Sequence, residues 1–177
     1  MDYQKLDNEE LLRLAIDAIS TQRQADGLVL LKLVLERDPT NTGAIYMLAG
    51  QHAQLGLVDR AEAGFRQVLQ ADPSMATARF QYGQLLLSQD RRAEALDVLA
   101  ALLERQDELG SYARALNAAA QDQLADTLRE LTHGLAQPQA NAALAIDMRR
   151  LRDQLAEDVP QVEAPAPIFL TGYGRAN

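Results

Sequence analysis

Residues 42–73 read TGAIYMLAGQHAQLGLVDRAEAGFRQVLQADP, and this stretch carries the pattern of two amphipathic helices joined by a turn. Helical spacing places Ile45, Leu48, Ala49 and His52 on one face of the first half. In the second half it gives an apolar stripe of Ala61, Phe65, Val68 and Leu69. Gly56 lies between the halves, where a turn with positive φ is tolerated. Pro73 ends the second half because proline cannot continue the helical hydrogen-bond ladder. The stretch therefore predicts a helix–turn–helix unit.

The same pattern recurs before and after this stretch at a constant spacing. Pro39 and Pro73 are one repeat length apart, and the same spacing relates Leu31 to Phe65 and Phe65 to Leu99. A fixed period of about 34 residues indicates stacked units, each of which cannot bury its apolar face alone. We predict one solenoid over residues 1–137, composed of three regular repeats and a degenerate fourth: 8–41, 42–75, 76–109 and 110–137.

The pattern changes after this solenoid. An apolar stripe opposite a charged side predicts a terminal capping helix over residues 138–159, with the stripe at Leu144, Met148, Leu151 and Leu155. From Pro160 onward, prolines favour an extended chain. Residues 160–177 are predicted to be a docking tail because large apolar side chains cluster near their end, at Ile168, Phe169, Leu170 and Tyr173. The alternative is that this tail covers the helices of residues 124–157.

The repeat resembles that of the tetratricopeptide (TPR) family. The matching residues are Leu48, Ala49, Gly56, Ala61, Phe65 and Pro73 in one unit, Tyr82, Gly83, Ala95 and Leu99 in the next, and Ala15, Leu31 and Pro39 in the one before. The resemblance implies an all-α, right-handed solenoid of helical hairpins, with a concave groove lined mainly by the first helix of each pair. One departure is Gly27, which stands where Ala61 and Ala95 fit the family and weakens its helix by about 1 kcal/mol.

The groove can be read from first-helix positions that internal packing does not use. The candidate peptide-binding residues are Leu12, Ile16, Ile19, Tyr46, Met47, Gln54, Phe80, Gln81, Gln84 and Leu87, with Arg13, Gly50, Arg114, Ala118 and Gln121 at related positions. Tyr46, Met47 and Phe80 are expected to anchor an apolar peptide or helix, while the amides pair with its backbone. The alternative is that Leu12, Tyr46 and Phe80 pack against the next helix pair or the tail.

Composition and charge exclude several classes of function. A net charge of −8 disfavours nucleic-acid and anionic membrane partners. The N-terminus lacks the apolar stretch of a secretory signal, and no run approaches the roughly 18–20 apolar residues of a membrane span. Cysteine is absent, so thiolate metal sites and cysteine nucleophiles are excluded. A cytoplasmic protein without membrane insertion is expected.

Neither histidine indicates chemistry. His52 and His133 lie within helical patterns, with no second ligand at metal spacing. We therefore expect no metal, no cofactor and no enzymatic activity. The favoured function is a non-catalytic adaptor, assembly factor or chaperone that binds an apolar peptide or helix in its groove, by analogy serving a multiprotein machine such as a secretion or pilus system. The alternative is a self-associating scaffold in which the tail docks on a neighbouring subunit of a homo-oligomer.

Overall fold

The computed structural model of the protein describes residues 3–157, and every regular element in that range is helical. In chain order the α-helices are α1 (Asn8–Ser20), α2 (Gln24–Arg37), α3 (Thr42–Gln54), α4 (Val58–Ala71), α5 (Ala76–Ser88), α6 (Arg92–Leu99), α7 (Glu108–Ala120), α8 (Leu124–Leu135) and α9 (Ala142–Glu157). Short 3-10 helices lie at Tyr3–Lys5 and Ala100–Leu102. The first eight helices form four successive antiparallel pairs, and α9 packs on α8.

Small residues set how closely the helices of a pair approach. A Cβ added at Gly64 of α4 would lie 2.8 Å from the Cβ of Ala49 on α3, so the Ala49 methyl group packs directly against the α4 backbone. Gly83 of α5 has the same role, because an added Cβ would lie 2.6 Å from Leu99 of α6. At Gly27, where helix propensity alone favours alanine, an added Cβ would lie 2.7 Å from the Ile19 side chain. The glycine at position 27 therefore lets α2 cross close to α1.

The turn inside each pair has one residue with left-handed backbone. Gly56 has φ +71°, which agrees with the turn predicted there. Gln22 and Asp90, one repeat length before and after Gly56, have φ 61° and 55°. Asp122 has φ 58° but lies less than one repeat length after Asp90, so the fourth pair departs from the exact period. The repeat is thus visible in the backbone as well as in the apolar pattern.

Asp-Pro sequences join the first three pairs. Asp38 Oδ1 accepts hydrogen bonds from the backbone N–H of Thr40 at 3.1 Å and from its hydroxyl at 2.8 Å. Asp72 accepts the same two bonds from Ser74, at 2.9 Å and 2.6 Å. These bonds fix the turn that follows each second helix. They also lower the pKa of both carboxyl groups, with the side-chain hydroxyl as the largest cause.

The third pair ends differently. α6 stops at Leu99 and is followed by the 3-10 helix, whereas α2 and α4 continue to the residues just before an Asp-Pro sequence. Asp107 stands one repeat length after Pro73 but caps the start of α7: its side chain accepts a hydrogen bond from the backbone N–H of Gly110 at 3.0 Å. Arg114 of α7 then holds the connection in place, donating to the carbonyl oxygens of Leu103 at 2.9 Å and Arg105 at 3.0 Å.

The core is divided along the solenoid into three clusters that follow the helix pairs. The first is centred on Leu31 between α1 and α2, and the second on Phe65 between α3 and α5. The third is centred on Tyr112 and includes Phe80 and Met148. Since Met148 lies on α9, the apolar stripe of this helix packs into the core cluster that also contains residues of α5, α6 and α7. The predicted tail, residues 160–177, lies outside the described residues.

Candidate functional site

The concave groove is a surface depression formed by the first helices of the first three pairs. Tyr46, Gly50 and Gln54 lie at four-residue intervals on one face of α3, as about 3.6 residues per turn requires. Ile19 of α1 lies on one side of this row and Gln81 of α5 on the other. Two adjoining cavities of about 140 and 290 Å³ share Gly50, Gln54 and Gln81 in their walls. The structure thus brings together side chains from three helix pairs.

The α1 side of the groove is apolar. Ile19, Tyr46 and Met47 line it together, and each is partly buried. Ile16, one turn before Ile19 on α1, leaves 54% of its surface exposed, which is unusual for a large aliphatic residue. The Tyr46 ring packs 6.5 Å from the ring of Phe65, and burial raises the pKa of its hydroxyl. Because the raised pKa keeps the Tyr46 hydroxyl uncharged, this side of the groove can accept an apolar group without placing an ionised Tyr46 beside it.

The middle of the groove combines open space with amide groups. An added Cβ at Gly50 would find only one atom within 4 Å, the Oε1 of Gln81 at 3.6 Å. Gln54, Gln81 and Gln84 surround this gap. Each amide can donate two hydrogen bonds and accept two more. The groove floor therefore offers room for a chain beside groups that can satisfy a peptide backbone.

The far end of the groove is closed by α9. Asp147 of α9 and Ser88 of α5 line the larger cavity together. The Asp147 carboxylate lies 3.8 Å from the Arg150 guanidinium, and both side chains are largely exposed. A helix outside the four pairs thus contributes the only acidic side chain among the residues that line these two cavities.

Phe80 is not in this groove, and the interpretation of it as an anchor is wrong. Its side chain is fully buried in the third core cluster, beside Tyr112 and Met148. Leu87 is partly buried against the same cluster. The physical reason is that α7 packs against α5, and Met148 of α9 joins the same core cluster. For Phe80, packing against the next helix pair was the correct alternative.

Other predicted groove residues have separate surroundings. Leu12 packs against the first core cluster, and Arg13 is exposed and ion-paired with Glu9. Arg114 of α7 forms an ion pair with Glu130 of α8 at 2.8 Å, and neither residue lines the cavities of the groove. Ala118 is buried, and exposed Gln121 donates to the carbonyl of Asn117 at 3.1 Å. The fourth pair therefore adds no side chain to the two cavities.

A serine–histidine contact that the sequence reading missed joins α7 to α8. Ser111 Oγ lies 3.1 Å from His133 Nδ1. Ser111 is fully buried, and its hydroxyl also accepts from Arg114 at 2.9 Å and from Gln137 at 3.1 Å. A catalytic serine needs an approachable hydroxyl and a base held by a third group. Here the hydroxyl is enclosed by donors, so the contact ties two helices together.

Comparison with solved structures identifies the architecture. PilW, described as a widely conserved type IV pilus biogenesis factor, superposes with a TM-score of 0.63 at 25% identity, over 85% of this chain and 72% of that chain. TTC0263, a thermophilic TPR protein of Thermus thermophilus, gives a TM-score of 0.54 at 18% identity, over 85% of this chain and all of that chain. The fold is that of a TPR protein.

MamA of Desulfovibrio magneticus RS-1 has the same TPR-type architecture, with a TM-score of 0.59 at 20% identity over 86% of this chain and 91% of that chain. Comparison of the sequence with protein-family models finds no match, and neither does comparison with curated proteins. The all-α TPR-type solenoid, which the resemblance of the repeat to the TPR family implied, is confirmed.

Some TPR proteins hold a partner's C-terminal carboxylate with a Lys/Asn/Arg clamp. In this TPR solenoid the sequence has only Lys5 and Lys32, and neither lines the cavities of the groove. Among residues 3–157 no cluster of side chains could hold a metal ion. No helix within that range is both long and apolar enough to span a bilayer.

Proposed function

We propose that this protein is a non-catalytic adaptor, assembly factor or chaperone that holds an apolar peptide or amphipathic helix in its concave groove. The observation that carries the proposal is the composition of the groove. An apolar side made of Ile19, Tyr46 and Met47 adjoins an open floor at Gly50, and glutamines surround that floor. TPR-type neighbours support a role in protein–protein interaction.

The groove favours a ligand with one apolar anchor and an accessible backbone or polar face. Apolar anchors in such a groove give most of the affinity, and polar groups around them fix orientation. The anchor would lie against Ile19 and Met47. The amides of Gln54, Gln81 and Gln84 would then bond to the ligand's peptide groups or polar side chains. An extended peptide and a helix both fit this description.

A multiprotein machine is the proposed setting. PilW is a pilus biogenesis factor by its description, and it shares a quarter of its aligned residues with this chain. We therefore propose that the client belongs to an assembly such as a pilus or secretion system.

The experiment fills the groove floor without disturbing the core. Gly50→Leu places a side chain into the open space, and Gly50→Ala is the matched control because its Cβ meets only Gln81 at 3.6 Å. Partners captured from an extract of the native cells are quantified for both variants and the unchanged protein. We expect Gly50→Leu to lose the principal partner and Gly50→Ala to keep it. Retention of every partner by folded Gly50→Leu would refute groove binding.

A second candidate function is self-association through the tail. It is favoured by the sequence cluster Ile168, Phe169, Leu170 and Tyr173, which lies outside the described residues. Deletion of residues 165–177 followed by light scattering tests it. A shift from oligomer to monomer with unchanged melting temperature supports docking on a neighbouring subunit. A large drop in the melting temperature of a monomer means that the tail is part of the core.

A further inference from the structure

A second depression, the α2–α4 cleft, lies behind α3. Leu48 and His52 lie on the face of α3 opposite Gly50, since two residues are a little over half a turn apart. The cleft has a volume of about 360 Å³, and its walls include Leu35 and Pro39 at the end of α2 and Gly64 on α4. It therefore shares no residue with the concave groove and opens on the other side of the solenoid.

In the next unit a polar bridge joins the helices. There, the Tyr82 hydroxyl of α5 donates to Glu62 Oε1 of α4 at 3.0 Å. Arg91, directly before α6, donates to the same oxygen at 3.1 Å and also bonds to Oε2. This network joins α4, α5 and α6, with the Glu62 side chain only 17% exposed.

The preceding unit has leucines at the three equivalent positions, and Leu48 among them lines the α2–α4 cleft. Leu28, Leu48 and Leu57 stand one repeat length before Glu62, Tyr82 and Arg91. Leucines cannot form the bridge, and Leu57 remains 40% exposed.

The α4 wall also departs from the repeat. Gly64 stands at the repeat position that Leu30 occupies in the preceding unit and Val98 in the following one. Ala49 of α3 packs directly against Gly64, and both residues line the cleft.

Positive charge accompanies this apolar surface. Arg60 lines the cleft beside His52. Arg60 and Lys32 both lower the pKa of His52, after burial as the largest cause, and no carboxylate of the described chain acts on it. Within residues 3–157 neither Arg60 nor Lys32 forms an ion pair. In a chain of net charge −8, this is a local cationic site.

We infer that the α2–α4 cleft binds an acidic segment of a partner protein, which inserts one apolar side chain between α2 and α4. The apolar walls would receive that side chain against Leu35 and Leu48. Carboxylates beside the anchor would bond to the guanidinium of Arg60, which can bind a carboxylate through two parallel hydrogen bonds. Lys32 adds a second cation on the α2 side. The partner is therefore distinct in chemistry and in position from the groove ligand.

The test uses two matched peptides and amide shifts of the full chain in two-dimensional NMR. The probes are acetyl-Glu-Glu-Leu-Leu-Glu-Glu-amide and the same peptide with lysine in place of glutamate. We expect the acidic peptide to shift the amides of Leu48, His52 and Gly64, and the basic peptide to leave them unchanged. Shifts centred on Gly50 and Gln81 instead would place the peptide in the concave groove and overturn the inference while leaving the proposed function intact.

Variants separate charge from shape. Arg60→Gln should weaken binding of the acidic peptide about three- to fivefold, as expected for one exposed ion pair. Arg150→Gln is the matched control, because it removes one exposed charge on α9 and should not change the affinity. Ala63→Leu, on the wall of the cleft, should block the apolar anchor. Equal affinities in Arg60→Gln and Arg150→Gln overturn the inference.

The chain's own C-terminal segment is a competing occupant. To test this occupant, a peptide of residues 158–177 is added to the full chain and the same amide shifts are measured. If that peptide binds the cleft more tightly than the glutamate peptide, the assignment to a partner protein is wrong. Absence of shifts at Leu48, His52 and Gly64 with the segment peptide, together with shifts there from the acidic peptide, supports the partner.

Discussion

Two glycines of one helix pair should respond in opposite directions to the same added methyl group. Gly50→Ala places a Cβ in open space, where its nearest atom is Gln81 Oε1 at 3.6 Å. Alanine is favoured over glycine inside a helix, so this change should stabilise the fold by about 0.5–1 kcal/mol. Gly64→Ala makes the same gain in helix propensity but forces a Cβ to 2.8 Å from that of Ala49.

The size of the penalty at Gly64 follows from that distance. Carbon atoms in contact prefer about 3.5–4.0 Å, so α3 and α4 must separate by a large part of an ångström. Overpacking of this kind costs about 1–3 kcal/mol. After subtraction of the propensity gain, Gly64→Ala should lose about 0.5–2 kcal/mol. Each kcal/mol corresponds to about 2–4 °C in melting temperature for a chain of this size.

Urea unfolding followed by far-UV circular dichroism measures the difference. Because repeats can unfold one after another, midpoints are compared instead of extrapolated free energies. Gly43→Ala is a further control, since its Cβ would meet Asn41 Oδ1 at 3.5 Å and Leu12 Cδ1 at 3.9 Å, both ordinary contacts. If Gly64→Ala unfolds at the same urea concentration as Gly50→Ala, the close crossing of α3 and α4 does not restrain the pair and the reasoning fails.

Four further changes test other parts of the fold. Phe80→Ala removes a fully buried ring and should cost about 3–5 kcal/mol in thermal unfolding. Gln22 has a left-handed backbone with φ 61°, which glycine adopts without the steric strain of a side chain. Gln22→Gly should therefore stabilise the fold by about 1 kcal/mol, measured as a higher urea midpoint. Arg91 lowers the pKa of Glu62, so the ionised Glu62 carboxylate stabilises the fold above pH 4.5, and this stabilisation is lost as the pH falls through the pKa that Glu62 has in the folded chain. The loss of stability caused by Glu62→Gln should therefore shrink below pH 4.5. The pKa of His52 is lowered mainly by burial, so the stability of the fold should fall as the pH drops below 6.5. Melting curves of His52→Gln should lack this dependence of the melting temperature on pH.

The sequence predicted the parts of the fold that repeat. Phe65 and Leu99, assigned to one repeat position, are both fully buried in equivalent crossings. Gly56 was expected in a turn and has the positive φ that such a turn requires. These predictions succeed because each depends only on contacts inside one pair or between adjacent pairs, which the repeating pattern encodes directly.

The parts that do not repeat could not be placed in the same way. The apolar stripe of α9 indicates that one side is buried, but it does not specify which helices receive it. Met148 packs in the cluster of Phe80 and Tyr112, and Asp147 beside it lines the groove. Phe80 stands one repeat length after Tyr46 and should share its exposure by period alone. The neighbours of α5 remove that equivalence: α7 packs against α5 and Met148 of α9 joins the same cluster, so Phe80 becomes core.

The groove is open where a residue departs from its repeat position. Ile16 and Gln84 stand one repeat length before and after Gly50, and the missing side chain at Gly50 leaves the groove floor open. The α2–α4 cleft, whose walls include Leu48 and Arg60, lies on the other side of α3. The second pair therefore carries a depression on each side of α3, and the two depressions differ in charge. A ligand for one side of α3 need not compete with a ligand for the other, so simultaneous binding of an apolar client and an acidic partner is the arrangement that this geometry permits.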